Sequence, residues 1–431
     1  MPVHQHIQIV FSIILMTTLV SQSSAEDSLE SIRGETMGTT YSIKWIGIKW
    51  IDESTGESSL KVDVDARLAE INRLMSTYDP DSELSRFNQY EKTDWFPVSS
   101  ATAIVVTKAL EISELSNGAF DPTVGRLVRL WNFGPDPNTQ ETPAKEEIEA
   151  ALESVGYQLV KVQSDPPAIS KSNPKVEIDL SAIAKGYAVD QILKLLQAEN
   201  VKDCMVEIGG EVRTSGTKQN GEPWTLGLQH PESLSSSLYA KVELKDQALA
   251  TSGNYRNYFE RDGVRYSHMI DPRTGKPVLH QLASASVLAD DCMTADAWAT
   301  TLMVLGSEQG LKLADQHQMA AYLLERKGDS FRELASEAIV GQFVNITQVD
   351  PKDPGMSPYL STFLLAATVF LIAIVGLAAG VILSNKTLKG SCGGIEGQKD
   401  EEGRSICEMC TTPPEECDQM KEKLREQLKT D

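Results

Sequence analysis

The chain has 431 residues, of which 41% are hydrophobic, and its formal net charge is −21. This length is sufficient for two or three domains with a full core. The acidic balance argues against nucleic acid as a partner, because binding a phosphate backbone requires a basic face. An anionic cofactor would have to be held by local donors or by a metal ion.

The first predicted element is an export signal over residues 1–25. An apolar stretch runs over residues 7–20, and small residues at positions 23–25 supply a cleavage point. No Lys or Arg precedes the apolar stretch, where His4 and His6 stand instead, so an uncleaved N-terminal anchor is the alternative. The absence of a cysteine near the cleavage point argues against lipid attachment there.

Residues 26–345 are predicted to form the main domain. Between Cys204 and Val287 the apolar residues form short segments broken by Gly and Pro, which is typical of strands. Helices on either side of a block of hairpin-like strands predict an α+β fold. The stretches with the apolar spacing of helices are residues 64–78, 101–116, 184–196 and 293–305.

A linker is predicted over residues 346–361, followed by a single transmembrane helix over 362–384. The apolar run is uncharged and long enough to span a bilayer, although a buried core helix is the alternative. Lys386 and Lys389 follow the run, so the positive-inside rule places the C-terminus in the cytoplasm. The prediction is therefore a bacterial inner-membrane protein whose main domain is periplasmic.

Residues 385–431 form a predicted Cys-rich tail. With this topology its thiols face a reducing compartment, so a metal site is favoured over disulfides. Thiolates suit a soft or borderline metal, which leaves iron, zinc and no metal as alternatives. The sequence also leaves open whether Cys204 and Cys292, both in the main domain, form a pair. The cysteines of the tail are Cys392, Cys407, Cys410 and Cys417.

Two polar residues on the last predicted helix are candidates for a Mg²⁺ site. Asp296 and Thr300 are four residues apart, so they share one helix face. A carboxylate and a hydroxyl together suit a hard cation, with water and phosphate oxygens completing the shell. The alternative is a solvated Asp beside a Thr that bonds its own backbone.

Two further segments carry groups for an anionic ligand and for proton transfer. Lys185 follows Asp179 at a predicted strand-to-helix junction, where it could reach an anion, although a capped helix with a surface lysine explains it equally well. His268 is a candidate general base because an imidazole exchanges protons near neutral pH. A structural histidine is the alternative. Arg273 could pair with phosphate.

Together these segments resemble the FAD:protein FMN transferase family, called the ApbE family. They occur in the family's order and cover about residues 30–345, and they are jointly specific although no single one is. The matching segments are residues 36–39 (TMGT), 75–88 (MSTYDPDSELSRFN), 118–125 (GAFDPTVG), 179–190 (DLSAIAKGYAVD), 209–211 (GGE), 250–255 (ATSGNY), 268–275 (HMIDPRTG) and 295–300 (ADAWAT).

The resemblance implies an ApbE-like flavin transferase domain with two subdomains. In the Mg²⁺ shell that it implies, the carbonyl of Ala182 joins Asp296 and Thr300, and Ala299 stands where some members carry a further acidic residue. His268 matches the histidine thought to assist the transfer, and Asp271 is a second candidate for taking the proton. The flavin nucleotide contacts it implies are Met37, Tyr78, Ala119, Phe120, Asp121, Asp179, Lys185 and Ile270.

The reaction implied by the resemblance moves FMN from FAD to a Thr or Ser hydroxyl of a partner protein, forming a phosphoester and releasing AMP. Mg²⁺ would neutralise charge on the diphosphate. Two rival functions would use the same residues. An FAD pyrophosphatase would use water as the acceptor, and a non-enzymatic flavin-binding protein would release no AMP.

The tail, from Ser391 onwards, resembles the NqrM family, which comprises maturation factors for the Na⁺-translocating NADH:quinone reductase. In that family the cysteines are associated with iron delivery to the complex. The resemblance implies that the tail assists iron delivery and that the partners are FMN-acceptor subunits of this inner-membrane reductase.

Overall fold

A computed structural model of the chain describes residues 28–47, 59–133, 142–229, 231, 238–254, 258–261, 264–328, 330–341 and 347–348. The described residues form one compact unit. The predicted signal peptide, transmembrane helix and Cys-rich tail, and most of the predicted linker, lie outside the described residues. Within the described ranges, no helix is both long and apolar enough to cross a membrane.

The four predicted stretches each correspond to a helix, although the first helix spans Ser59–Met75 and so ends three residues before its predicted end, and the last extends to Gln316. In the first helix, Val64, Leu68 and Ile71 recur at three- or four-residue intervals and are buried, as the spacing requires. The helices of the described residues are α1 Ser59–Met75, α2 Glu83–Gln89, α3 Ser100–Leu115, α4 Gly125–Leu130, α5 Lys145–Leu152, α6 Ala184–Ala198, α7 Cys292–Gln316 and α8 Glu337–Gly341.

Strands predominate between Cys204 and Ala289, which confirms the change of pattern read from the sequence. The first nine strands are β1 Leu29–Thr36, β2 Thr39–Ile46, β3 Phe96–Pro97, β4 Val160–Ser164, β5 Pro167–Lys171, β6 Cys204–Ile208, β7 Glu211–Ser215, β8 Trp224–Gln229 and β9 Leu238–Leu244. The remainder are β10 Ala248–Gly253, β11 Tyr258–Arg261, β12 Val264–Ser267, β13 Ile270–Asp271, β14 Lys276–Pro277, β15 Leu282–Ala289, β16 Ala320–Lys327, β17 Ser330–Ala335 and β18 Thr347–Gln348.

An eight-stranded sheet forms the centre of the fold, with the order β1-β2-β6-β7-β10-β15-β16-β17. Every neighbouring pair in it is antiparallel. Helices α6 and α7 pack on one face of this sheet, where alternate residues such as Ala250, Val287 and Leu323 belong to the main core. The α+β class predicted from the sequence is confirmed.

A smaller sheet, β18-β9-β8, covers part of the opposite face. Its apolar residues pack against Leu249, Leu288 and Tyr322, which alternate with the core-facing residues of the large sheet. The two faces therefore differ in their cover, since helices protect one and a short sheet protects the other. Strand β18 belongs to the fold although it lies within the predicted linker.

Helix α7 is interrupted at Gly306, whose φ of 78° and ψ of 177° are not helical. Glycine adopts this left-handed φ without a steric penalty, so the break is placed where the sequence permits it. The predicted helix over residues 293–305 ends at this break. The segment before it carries both predicted metal ligands of the helix.

Candidate functional site

A cavity of about 1410 Å³ opens where α2, α6, α7 and the large sheet meet. Eleven of the thirteen site residues predicted within the main domain line it, although they come from segments far apart in the sequence. Met37 and Asp271 are not among the described residues of its lining. The eleven are Tyr78, Ala119, Phe120, Asp121, Asp179, Ala182, Lys185, His268, Ile270, Asp296 and Thr300.

Asp296 and Thr300 face the cavity from one side of α7, as their spacing predicts. Asp296 is buried, and its Oδ2 accepts a hydrogen bond from the Gly186 N–H at 3.0 Å. Burial raises the pKa of this carboxyl group, although the nearby Lys185 ammonium acts in the opposite direction. The Thr300 hydroxyl lies 3.1 Å from Ser252 Oγ. Helix α7 is thereby tied at its metal-ligand face to both α6 and β10.

Lys185 stands between two buried carboxylates. Its Nζ lies 2.6 Å from Glu211 Oε1, so it forms an internal ion pair and is not the surface lysine of the alternative reading. Burial favours its neutral amine, but the carboxylates of Asp296 and Glu211 outweigh this effect and raise its pKa. Burial also raises the pKa of Glu211, to about 8, against the pull of the Lys185 ammonium. When both acids are ionised, the group of two carboxylates and one ammonium carries one net negative charge.

The donor set beside this charge fits a hard divalent cation. The Ala182 carbonyl, the Asp296 carboxylate and the Thr300 hydroxyl all line the cavity and supply oxygen ligands. Glu211 Oε2 is buried and, within the described residues, has no hydrogen-bond partner. Those residues contain no cluster of three His, Cys, Asp or Glu side chains that could hold a metal. A cation here would therefore rely on the single Asp296 carboxylate, on carbonyl and hydroxyl oxygens and on its ligand's phosphates.

The segment that carries Asp179 is held by two side chains, of which Asn88 lines the cavity and Lys171 does not. The Asn88 amide bonds both the N–H and the carbonyl of Ile178 at 2.8 Å. Lys171, fully buried, donates from Nζ to the carbonyls of Asn88 and Val176 at 3.0 Å. These bonds hold the main chain of the residues that directly precede Asp179 in one position. The Asp179 carboxylate then accepts the N–H of residue 181 and lies at the cavity wall.

The loop that presents Ala119 and Phe120 is folded around Asp121. The Asp121 carboxylate accepts the N–H and the hydroxyl of Thr123, at 2.8 and 2.6 Å, and the N–H of Tyr157 at 2.8 Å. Burial raises its pKa, while these three bonds act against the rise. Asp121 thus lines the cavity as predicted, but both carboxylate oxygens are already engaged within the protein.

Tyr78 projects its ring at the wall of the cavity with 67% of the residue exposed. Partial burial and the nearby Asp179 carboxylate raise the pKa of its phenol. A large aromatic ring that remains this exposed gains little from packing in the protein itself, so it is available to stack on a planar ligand.

His268 lies half-buried in the cavity wall at the end of an aromatic cluster. The Phe133 ring is 6.4 Å from the imidazole, and it stacks on Phe259 at 5.5 Å. Tyr266 continues the stack, 5.2 Å from Phe259 and 5.7 Å from Trp131. The cluster fixes the hairpin that ends at His268, so the imidazole is held toward the cavity.

Asp271 is occupied by the turn that follows. Both of its oxygens accept hydrogen bonds of 2.9 Å from the Arg273 guanidinium. Arg273 is thereby committed to Asp271, although the sequence offered it as a phosphate ligand. The structure does not bring Asp271 into the lining of the cavity with His268.

Met37 forms the turn between β1 and β2 together with Gly38. Both residues have positive φ, 50° and 71°, as a tight two-residue hairpin turn requires. Met37 packs against the main core, whereas Thr39 and Thr40, which follow the turn, line the cavity. The predicted contact residue is therefore adjacent to the described cavity lining and not part of it.

Comparison with known proteins agrees with this arrangement. The ApbE family model matches residues 37–323. This range includes all the sequence segments on which the resemblance was based, except for Thr36 at the start of the first one. The chain belongs to the ApbE family. A second family model, described as (Na⁺)-NQR maturation NqrM, matches residues 381–429.

Curated relatives of this ApbE-family chain carry the name FAD:protein FMN transferase. The protein from Vibrio cholerae is 42% identical over 328 residues, which cover 76% of this chain and 97% of the relative. The protein from Escherichia coli is 38% identical over 303 residues, which cover 70% of this chain and 85% of the relative.

Solved ApbE structures share the fold. The flavin transferase ApbE from Vibrio cholerae superposes with a TM-score of 0.66 at 41% identity, covering 73% of this chain and 99% of that one. The apo flavinyl transferase ApbE from Pseudomonas stutzeri gives 0.67 at 36% identity, covering 74% and 97%. The sequence resemblance to the ApbE family is confirmed.

Three residues of the ApbE-family site were not predicted as site residues. Glu211 belongs to the matching segment 209–211, and its position directly after two glycines is a sequence signal that could have identified it. Ser252 lies within another matched segment, but its contact with Thr300 gives no sequence signal. Lys171 lies outside every matched segment. An isolated lysine on a strand is typical of an exposed position.

Proposed function

We propose that the chain is an FAD:protein FMN transferase that moves FMN from FAD to a Thr or Ser hydroxyl of a partner protein. The observation that carries the proposal is the buried group of Lys185, Glu211 and Asp296 beside Thr300. It combines oxygen ligands for a cation with a fixed ammonium in the cavity that Tyr78 also lines. Such a site suits a planar ligand that carries a diphosphate.

The proposed reaction is one in-line phosphoryl transfer. The acceptor oxygen bonds to the phosphorus of the FMN half of FAD, and the bond from that phosphorus to the bridging oxygen breaks. AMP leaves with the bridging oxygen, and FMN remains on the acceptor as a phosphoester. His268 takes the hydroxyl proton, because Asp271 is engaged by Arg273.

The residues around the diphosphate have distinct proposed roles. Lys185 stabilises negative charge on the phosphates, and Glu211 holds its ammonium in place. Ala182, Asp296 and Thr300 would hold Mg²⁺, which supplies neutralisation of the charge that develops on the leaving AMP phosphate.

The segments outside the main domain indicate the proposed location of the protein and its proposed partners. We place the main domain in the periplasm, anchored by a transmembrane helix over residues 362–384, with the Cys-rich tail in the cytoplasm. The match of residues 381–429 to the NqrM family supports a role of the tail in iron delivery. FMN-acceptor subunits of the Na⁺-translocating NADH:quinone reductase are the proposed partners, so both parts would serve one assembly.

The test is a mass measurement with a matched variant. The purified full-length chain is incubated with FAD, Mg²⁺ and a fragment of a reductase subunit that contains the acceptor Thr. The acceptor is expected to gain the mass of one FMN. Asp296→Ala is expected to reduce the rate by roughly 100-fold or more, because it removes a metal ligand. Chelation of Mg²⁺ is expected to have the same effect on the wild type.

The rival functions give other outcomes. Release of AMP from FAD with no gain in acceptor mass would identify a pyrophosphatase. Retention of intact FAD with neither product would identify a flavin-binding protein. Asp315→Ala, an acidic residue of the same helix that does not line the cavity, serves as the control and is expected to transfer FMN at the wild-type rate.

A further inference from the structure

The cavity extends beyond the residues assigned to FAD and Mg²⁺. It continues across the outer face of the large sheet, where directly opposed residues of β10, β15 and β16 form two rows. All six residues of these rows line the cavity. The rows are Thr251–Ser286–Tyr322 and Gly253–Ser284–Leu324.

The small sheet covers the next row of the same face, and its apolar cluster also includes Tyr322 and Leu324 from the β16 end of the two cavity-lining rows. That row is Leu249–Leu288–Ala320, and it packs in one apolar cluster with Leu228 and other residues of β8 and β9. The β10 and β15 parts of the two rows therefore form the floor of a slot, and residues 226–228 of β8 line the same cavity. The floor is lined with hydroxyl groups, in contrast to the apolar row under the small sheet.

Strand β8 is the edge of the small sheet. It pairs with β9 and, among the described residues, with no other strand. Residues 226–228 of β8 line the cavity. In an antiparallel ladder alternate residues direct their N–H and carbonyl groups away from the partner strand. The outer edge of β8 consequently offers main-chain donors and acceptors to whatever occupies the slot.

The slot is continuous with the reacting centre. Thr251 belongs to its floor, whereas Ser252 directs its Oγ to the opposite, helix-covered face of β10, 3.1 Å from the Thr300 hydroxyl, and both residues line the cavity. A ligand in the slot would thus lie in the same cavity as the proposed metal ligands Asp296 and Thr300, across β10 from them. Nothing in the assignments to FAD accounts for this second region.

We propose that the slot binds the acceptor protein as an extended segment paired with β8, an inference that rests on the proposed function. Main-chain hydrogen bonds to a strand edge supply affinity without requiring particular side chains. The hydroxyls of Thr251, Ser284 and Ser286 suit a polar segment. An extended segment places a Thr or Ser side chain over the floor, where its oxygen can reach the phosphorus beside Thr300.

Two proline variants of β8 test the pairing. Leu226 and Gly227 are adjacent, so one N–H faces β9 and the other faces the slot. Leu226→Pro and Gly227→Pro in the full-length chain are compared with the wild type for melting temperature, FAD affinity and FMN transfer to the reductase subunit fragment. Proline is tolerated at the outer side of an edge strand, so the slot-facing variant is identified by its near-wild-type melting temperature.

The slot-facing proline is expected to raise the KM for the acceptor fragment about tenfold and to leave FAD affinity unchanged, because it removes one main-chain hydrogen bond and obstructs the edge. As an independent measurement, acceptor peptides methylated at successive backbone nitrogens are compared with the unmodified peptide. Methylation is expected to raise KM at every second position only.

The outcomes separate this inference from the proposed function. An unchanged acceptor KM in the slot-facing variant, or methylation effects without alternation, would overturn the pairing while FMN transfer by the wild type stood. Absence of transfer by the wild type would overturn the proposed function and the pairing together. If both proline variants fail to fold, the methylated peptides alone decide the question.

Discussion

Lys171 illustrates how a residue outside the cavity determines its geometry. The side chain is 1% exposed, and its Nζ also donates to the Phe87 carbonyl at 3.1 Å, in addition to those of Asn88 and Val176. A buried ammonium is stable only when such donors and acceptors are matched. The ammonium therefore joins α2 to the segment that leads into Asp179.

Replacement of Lys171 gives a prediction with a defined pH dependence. Lys171→Met removes the buried donor shared by three carbonyls and is expected to lower the free energy of unfolding by roughly 3 kcal/mol. Burial lowers the pKa of Lys171 from 10.5 to about 8 in the folded chain. Its contribution to stability is therefore complete above pH 10.5 and is lost as the pH falls toward 8.

Urea unfolding of the wild type and Lys171→Met at about pH 7.5 and pH 10 measures this effect. The difference in unfolding free energy is expected to be larger at the higher pH. Lys161→Met, at an exposed position on β4, is the control and is expected to show no such difference. A gap of equal size at both pH values would contradict the assignment.

The individual residues also show how far sequence analysis reaches. Asp296 and Thr300 were predicted because a spacing of four fixes their relation within one helix. Ser252 and Lys171 were not predicted, because their partners lie 48 and up to 84 residues away. Asp271 was predicted beside His268 from adjacency in the chain, but the following turn uses its carboxylate. Helix spacing and the family resemblance therefore identified site residues better than they identified the partners of those residues.

At the scale of elements, the site depends on the close approach of α6 and α7. Gly186 makes this approach possible, since a Cβ at this position would lie 2.3 Å from the Cys292 carbonyl oxygen. The Gly186 N–H also donates to Asp296. The Asp190 carboxylate, one turn later, accepts the N–H groups of Cys292 and Met293 at 2.9 and 3.0 Å and so caps α7.

Gly186→Ala is expected to separate the two helices. We expect a loss of about 3 kcal/mol in unfolding free energy, because the added methyl meets main-chain atoms that cannot rotate away. We also expect weaker Mg²⁺ binding in the presence of FAD, because Asp296 loses its fixed position. Calorimetry of folding and of Mg²⁺ binding measures both effects.

Gly310→Ala provides the matched control on α7, where the nearest atom to the added Cβ is 3.3 Å away. It is expected to leave Mg²⁺ binding unchanged and to alter stability by no more than about 1 kcal/mol. Wild-type Mg²⁺ affinity in Gly186→Ala would show that the helix approach does not position Asp296.

The elements themselves were predicted more completely than their arrangement. Apolar spacing identified the four long helices, and the predicted end of the last one at residue 305 coincides with the break at Gly306. The order β7-β10 in the large sheet, with β8 and β9 diverted to a second sheet, was not predicted. Strand periodicity states which residues share a face, whereas strand order depends on contacts between distant segments.

For the whole molecule, the proposed division of labour predicts separable activities. A chain limited to residues 26–351 retains every described strand and helix, including β18. It is expected to remain soluble and to transfer FMN within about twofold of the full-length rate, because a domain with its own core folds alone. The full-length chain is expected to sediment with membranes. Fractionation and the mass assay test both statements.

Iron binding is expected to follow the tail. The full-length chain, purified without oxygen, is expected to contain iron that is absent from the fragment and from a variant with the four tail cysteines replaced by serine. Elemental analysis measures the metal directly. Zinc in place of iron, or no metal in the full-length chain, would contradict the proposed role of the tail.

The order of strands in the large sheet also has a consequence for folding. The cavity collects residues from position 39 to position 324, and its floor uses β16, which follows the metal-ligand helix. Contacts between segments this distant make folding slow, because long loops must close first. During synthesis the hairpin of β1 and β2 therefore lacks its neighbouring strand until β6 has been made. The large sheet remains incomplete until β16 has been made as well. The binding site is among the last features to form, so a nascent chain cannot hold flavin until almost the entire main domain has been made.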